Sequence, residues 1–387
     1  MKKLALAAIA VSMMATSSSA AGVTISGYID VGYWAAENPH LNSFYGVAAG
    51  AFPPRAQASA ATNGAWNGND QFALNDVNID INAKFTDDIT GYASWNYANG
   101  AAATIDFAQI DFTNLLPWGH KLTVGRFGSP VGIEQRVSES NLNKFINMSL
   151  ISSITVGSQD GIAVSGSMSP VSYIVAVTNN DNLGGASIGT NPRIPAIAGA
   201  VGVVADNNND KAISGRIGVT PIEGLELGAS GSRTIWAGPL AAGATADKIN
   251  PTRNVVAADA SYVWGAFTIK GEYAYVKEQQ QNAIGVLPLS DISARGYYVE
   301  GWYDWTSKFG VGVRYNRMEI DQTRGAGNSD NASDYSTLAV AGSYKLADNV
   351  LFKAEYDVNE ESVINYLSTA GREIDNDVIA VSLVGSF

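Results

Sequence analysis

The 387-residue chain has no cysteine, which removes disulfide staples and thiolate metal ligands from its options. It has only two histidines. His40 falls in a long loop and His120 beside a tight turn, at opposite ends of the pattern set out below, so neither stands in a nucleophile-and-base setting. That argues against an enzyme. Charge is sparse, at 16% of residues, and it leans acidic, with a formal net charge of −12. A chain of this kind has no basic face with which to hold nucleic acid. No glycine-rich phosphate cradle with its lysine is present either. The run DNNNDK sets Asp206, Asn208 and Asp210 at calcium-loop spacing, but it lacks the glycine at the sixth position and the later bidentate Glu, and reads as a solvated loop. No cofactor is implied. Long apolar runs are missing as well: beyond the first residues nothing approaches the ~18 apolar residues of a membrane-crossing helix. If the chain lives in a membrane, it must cross as strands.

What is present begins with MKKLALAAIAVSMMATSSSAAG. Lys2 and Lys3 precede an apolar core from Leu4 to Met14, and Ser18, Ser19 and Ala20 offer small residues for cleavage, so residues 1–20 read as a secretory signal peptide. Its removal makes the remainder, 21–387, two charges more acidic. Hydrophobic residues make up 46% of the chain, which places that remainder among ordered chains and not acidic tails.

The ordered part alternates. In NDVNIDINAKF, Val77, Ile79, Ile81, Ala83 and Phe85 share one face of an extended strand, and Asn78, Asp80, Asn82 and Lys84 share the other. The same rhythm recurs about sixteen times, in segments near the 9 to 11 residues that a tilted strand needs to cross a bilayer. Connections alternate between turns of a few residues, such as TDD, PIEG, TSK and ADN, and longer polar loops. One short-turn rim and one long-loop rim are what an up-and-down transmembrane β-barrel requires, whereas a soluble sandwich has no reason to segregate its loops. Phe85, Trp118, Trp264, Trp305, Phe309, Phe352 and Phe387 fall beside short turns or at the terminus, as an interfacial aromatic girdle would place them. Tyr33, Trp95 and Tyr97 are candidates for the second girdle. Arg126 and Asp106 break the alternation of their strands, which predicts a position above the bilayer or beside a bulge.

Two stretches carry a resemblance. Ile379, Val381, Leu383 and Phe387 alternate to the last residue, which resembles the terminal strand of Gram-negative outer-membrane barrels. In those proteins the final Phe is an assembly signal read by the outer-membrane assembly machinery. The segment KLTVGRFGSPVGIEQRVSESNLNKF, with Gly125, Arg126, Phe127, Pro130 and Gly132, resembles the strand and long third loop of porins that include the phosphate-selective and OmpL-like group. The resemblance implies a porin in the outer membrane, surrounded by lipid bilayer and lipopolysaccharide, assembled as a homotrimer and passing small hydrophilic solutes and ions.

In such porins the third loop folds inward. Here that connection is residues 128–157, and its charges Glu134, Arg136, Glu139 and Lys144 are the expected constriction, opposed signs across a narrow pore setting a transverse field. Inward positions of the strands give the expected pore wall: Asp80, Lys84, Arg216, Lys270, Glu272, Arg314, Lys353 and Glu355. A near-even count of inward acids and bases suggests a weak cation preference and argues against phosphate selectivity. A rival reading is a barrel serving as adhesin, surface-layer anchor or sheath for a partner, with loops 35–71 and 181–210 as binding surfaces.

Overall fold

The computed structural model describes residues 22–36, 71–97, 104–116, 119–179, 210–235, 252–280, 290–323, 331–363, 372–375 and 377–387. The expected signal peptide, His40, Trp118, Asp206, Asn208 and most of both long loops named above lie outside them.

The strands are β1 Gly22–Ala36, β2 Gln71–Lys84, β3 Ile89–Tyr97, β4 Thr104–Phe112, β5 Lys121–Gly128, β6 Ser158–Met168, β7 Val171–Thr178 and β8 Ala212–Ile222. They continue as β9 Leu225–Ile235, β10 Thr252–Trp264, β11 Phe267–Gln280, β12 Ser290–Asp304, β13 Phe309–Thr323, β14 Asn331–Ala347 and β15 Val350–Val363. The sixteenth, β16, is broken into Arg372–Asp375 and Val378–Ser386, which both pair with β15. Each strand is antiparallel to the next, and β1 pairs with both β2 and β16, so the sheet closes on itself. Closure leaves no strand edge bare, the condition under which a sheet can sit in hydrocarbon. At the seam Gly27 and Phe387 exchange backbone hydrogen bonds of 3.1 and 3.0 Å. A Cβ on Gly27 would run into the Asn78 carbonyl and the Phe387 ring, so glycine there lets the terminal aromatic lie across the first strand.

Alternation sorts the side chains as the sequence implies. Ile79, Tyr273, Val313, Val340 and Phe352 are exposed on the outside, while their neighbours Asn78, Glu272, Arg314, Ala339 and Lys353 are buried within. Two irregularities have physical causes. At Asp30/Val31 the register of β1 against β2 shifts by one residue, and the extra residue, Asn75, turns inward beside Asp76. Asn75 accepts from Trp34 Nε1 at 2.9 Å and donates to Asp30 at 3.1 Å, while Asp76 accepts from Tyr28 and Asn96, each at 2.6 Å. A second shift, between Ser94 and Trp95, makes Asp106 the extra residue of the bulge on the opposite strand. Arg126 stays on the outer face near the loop end of β5, where Nε and Nη2 each reach Asp160 at 2.7 Å and Nη1 reaches the Ile105 carbonyl.

The short turns use side-chain chemistry that the sequence spells out. Thr86 Oγ1 accepts from the backbone of Asp88 and Ile89, and Thr306 Oγ1 does the same for Lys308 and Phe309. Gly224 and Gly265 supply the positive φ of two others, +79° and +59°. Beside these turns Phe85, Trp264, Trp305, Phe309 and Phe352 are exposed, and Trp95 and Tyr97 are exposed at the other rim.

Candidate functional site

After β5 the chain leaves the wall and returns only at β6. The connection contains a 3-10 turn, Glu134–Val137, and a one-turn helix, Ser152–Thr155. Its apolar side chains Val131, Leu150, Ile151 and Ile154 are buried in one cluster with inward residues of β10 to β14, including Val255, Val276, Tyr298, Ile320 and Tyr335. An apolar patch inside a barrel is costly if water reaches it. Burying each such aliphatic side chain is worth roughly 1.5–3 kcal/mol, so loop and patch explain one another.

Polar wall residues then fix the loop backbone at intervals. Glu272 Oε2 accepts from the amides of Ile133 and Glu134 at 3.0 and 3.3 Å, and Ser230 Oγ from that of Gly132 at 2.9 Å. Gly132 has φ +73°, and a Cβ there would overlap the Glu272 carboxylate, so only glycine lets the chain come this near. Further along, Glu355 Oε2 accepts from Ile146 and Asn147, and Asn147 Nδ2 donates to Asp357 at 2.7 Å. Lys353 Nζ donates to the carbonyls of Ser140 and Asn143 at 2.5 and 2.7 Å. Arg314 gives Nη1 to the Asn147 carbonyl at 2.9 Å and holds Glu300 through Nε and Nη2, both at 2.9 Å, with Lys270 on the other Glu300 oxygen at 2.7 Å. The Phe145 ring lies 4.1 Å from the Arg314 guanidinium carbon, a stacked contact of the kind Arg makes well.

These contacts redistribute the residues read from the sequence. Glu272, Arg314, Lys353 and Glu355 point inward as expected, but they are buried. The expectation that they line open water fails because the loop covers them and consumes their hydrogen bonds. Glu134 is likewise buried, accepting from the amide of Ser149 at 2.7 Å and from its hydroxyl. Its charge therefore serves the loop's own fold. Arg136 is half exposed and donates to both oxygens of Glu226 at 2.9 and 3.2 Å. Lys144 reaches Asp304 at 2.9 Å and lies 5.2 Å from the centre of the Trp302 ring. Glu139 is half-buried, and its carbonyl accepts from Leu142 and Asn143.

On the wall, Asp80 accepts from Tyr92 OH at 2.8 Å. Arg216 is clasped by Asp259 at 2.5 and 3.2 Å and touches Glu226 at 3.0 Å. Lys84, at the turn, pairs with Asp87 at 2.6 Å and holds that carboxyl below its usual range. Phe387 is exposed at the seam. Sequence reasoning missed the apolar inner patch, because the doublets Val255-Val256 and Tyr297-Tyr298 offer an apolar residue to either face. It also missed Ser230 and Tyr92, ordinary strand residues until the loop and the wall are seen together. Among the described residues no group of three or more His, Asp or Glu could hold a metal ion, and no helix is long and apolar enough to cross a membrane.

Comparison with known proteins sharpens the assignment. Residues 4–363 match the family model described as Gram-negative porin, and the chain belongs to that family. The outer membrane channel DcaP of Acinetobacter baumannii superposes with a TM-score of 0.67 at 13% identity, over 96% of this chain and 99% of that one. An anion-selective porin from Comamonas acidovorans gives 0.57 at 12% identity, covering 95% and 100%. The trimer form of the Vibrio cholerae outer membrane protein OmpT gives 0.58 at 13% identity, covering 95% and 100%. Compared with curated protein sequences, the chain has no match. The protein is an outer-membrane β-barrel of sixteen antiparallel strands.

Proposed function

We propose that the protein is a diffusion porin: a passive, water-filled path for small hydrophilic solutes and ions, not an enzyme, narrowed by the connection of residues 128–157. The observation that carries this reading is the one-sided docking of that connection. It is bonded to β9, β11, β13 and β15 through Ser230, Glu272, Arg314, Lys353 and Glu355, and its apolar face lies on β10 to β14. The water path then runs between the loop and the β2 to β8 wall, past Asp80 and Lys121, while Arg216 lies buried in that wall. Arg136, Glu139 and Lys144 are the loop charges left to meet solutes at the constriction, and Lys84 and Lys270 complete the accessible wall.

Ion preference follows the charges that water meets, and here our reading departs from the weak cation preference inferred from sequence. Six of the inward acids, Asp30, Asp259, Glu272, Glu300, Glu355 and Asp357, are buried. The bases Arg216, Arg314 and Lys353 are buried too, so six acids but only three bases are withdrawn from water, and the balance tips toward anions.

The surroundings follow from the same reading. The outer face sits in lipid bilayer with lipopolysaccharide in its outer leaflet, Phe387 is the signal to the assembly machinery after export by residues 1–20, and the oligomer is a homotrimer, a reading supported by the trimer form of the Vibrio cholerae protein OmpT. Swelling of liposomes containing the purified protein, in sugars of increasing size, tests the function: uptake that falls off smoothly with solute size supports it. Impermeability to every solute refutes it and favours a plugged barrel that acts as a binding surface.

A further inference from the structure

Behind the docked loop, between β13 and β15, lies a small cavity of about 10 Å³ whose lining includes Asn316, Glu355 and Asp357 of the wall and Asn147 and Leu150 of the loop. We infer that this cavity is a cation site, and that calcium is the ion it fits. The inference goes beyond the porin reading and needs only the docked loop.

The strands hollow out this spot. On β14, Ala339 lies between Arg314 and Asp357, and Ala341 between Gly312 and Glu355. Two methyl groups leave space into which the longer side chains on either side converge. Glu355 and Asp357 stand two residues apart on the inner face of β15, near enough to share a hydrogen bond when one of them carries a proton. Asn316 comes from β13, opposite Thr337. Asn316, Glu355 and Asp357 are only 3%, 4% and 2% exposed.

What these three lack is a donor. Loop amides bond to Glu355 Oε2 and Asn147 Nδ2 to Asp357 Oδ2, but Glu355 Oε1, Asp357 Oδ1 and Asn316 Oδ1 accept from no donor among the described residues. The Thr337 hydroxyl points away, to Asn359 at 2.7 Å, and Arg314 is directed to Glu300 and the Asn147 carbonyl. A buried acceptor without a partner is rare, and buried carboxylates side by side are costly unless something positive joins them. A proton shared by Glu355 and Asp357 would answer for two of the oxygens and leave Asn316 orphaned. A single water has two protons for three acceptors. A cation meets all three. Because the third ligand is an amide oxygen, no cluster of three acids marks the site among the described residues.

Oxygen ligands alone select a hard ion, and two carboxylates match a double charge. Calcium accepts irregular shells at about 2.3–2.6 Å, whereas magnesium keeps several of its waters. A cavity with room for about one water has no space for those. With so few ligands the affinity should fall in the weak range of extracellular calcium modules, ~10⁻⁴–10⁻³ M.

The test strips the full-length protein with EGTA in detergent, verifies its fold by heat-modifiable mobility, and titrates it with calcium chloride in a calorimeter. Saturable uptake is expected, and Asn316→Ala or Asp357→Asn should weaken it about tenfold or more, the scale of one lost charged contact. Asp334→Asn, on the outer face beside Arg317, should leave it unchanged. Calcium should also slow hydrogen exchange of the Ile146 and Asn147 amides in the parent and not in Asn316→Ala. Magnesium chloride acting equally well overturns the choice of ion. Uptake that survives in both variants, or a folded protein that takes up no calcium, overturns the site and leaves a shared proton between the two carboxylates. Silent bilayers refute the porin reading and leave the calcium result standing.

Discussion

Replacing Arg314 by Met removes the one side chain that ties wall, loop and the buried acid Glu300 together. The guanidinium donates to the Asn147 carbonyl and twice to Glu300, and the Phe145 ring covers it. Met keeps much of the volume and none of the donors, so Glu300 is left buried with Lys270 alone. Breaking a buried pair by deleting one partner costs about 3–5 kcal/mol. If that cost falls on the docked state of the loop, its undocked population rises by about a hundredfold to a few thousandfold, since each 1.4 kcal/mol is tenfold. The barrel itself should remain folded, because its closure rests on backbone ladders, in which Met at position 314 keeps the same backbone partners, Glu300 and Ala339. The signature is therefore a noisier and wider channel of unchanged thermal stability. Single-channel recording should show brief excursions to higher conductance, and trypsin should cut at Arg136 or Lys144 in the variant while sparing the parent. A variant as quiet as the parent, with both sites still protected, would refute the claim that this residue pins the loop.

Other expectations can be checked together. Glu272→Gln replaces a carboxylate that accepts two loop amides by a neutral acceptor, and single-channel noise should rise less than for Arg314→Met because the hydrogen-bond geometry survives. Gly132→Ala places a methyl where the Glu272 carboxylate sits, at a residue with φ +73°, and should raise noise more than Glu272→Gln does. Val313 faces out at mid-strand on β13, so Val313→Arg should lower folding stability in lipid by about 2–4 kcal/mol, measured by urea titration in vesicles. Arg at an inward, half-buried site such as Gln109 should cost far less. Deleting Phe387 removes both backbone bonds to Gly27 and should cut the outer-membrane yield in cells strongly, while leaving the detergent-refolded protein closed by the remaining β1 to β16 ladder.

The wall was legible in the sequence because its physics is local. Alternation from Val77 to Phe85, or from Phe267 to Tyr275, is set by neighbours two residues apart, and segments such as Ile89–Tyr97 and Ser158–Met168 can be read to the residue. The bulge at Asn75 was not, since alternation resumes on both sides of it and only the partner strand reveals the extra residue. The inward direction of Glu272 and Glu355 was legible for the same local reason. Their partners were hidden, because Ile133 is 139 residues away from Glu272 and Ile146 is 209 from Glu355. No periodicity reports a contact between a carboxylate and a loop amide at that distance. The charges of Glu134 and Arg136 look alike on paper as well. What separates them is Ser149, which folds back to take Glu134 out of the water.

The most direct measurement is conductance across a planar bilayer containing the purified protein alone. A water-filled barrel narrowed by a docked loop requires discrete, long-lived, ohmic steps that widen when Arg314 is replaced. A silent membrane, after insertion has been verified by the heat-modifiable mobility of a folded barrel, would contradict it.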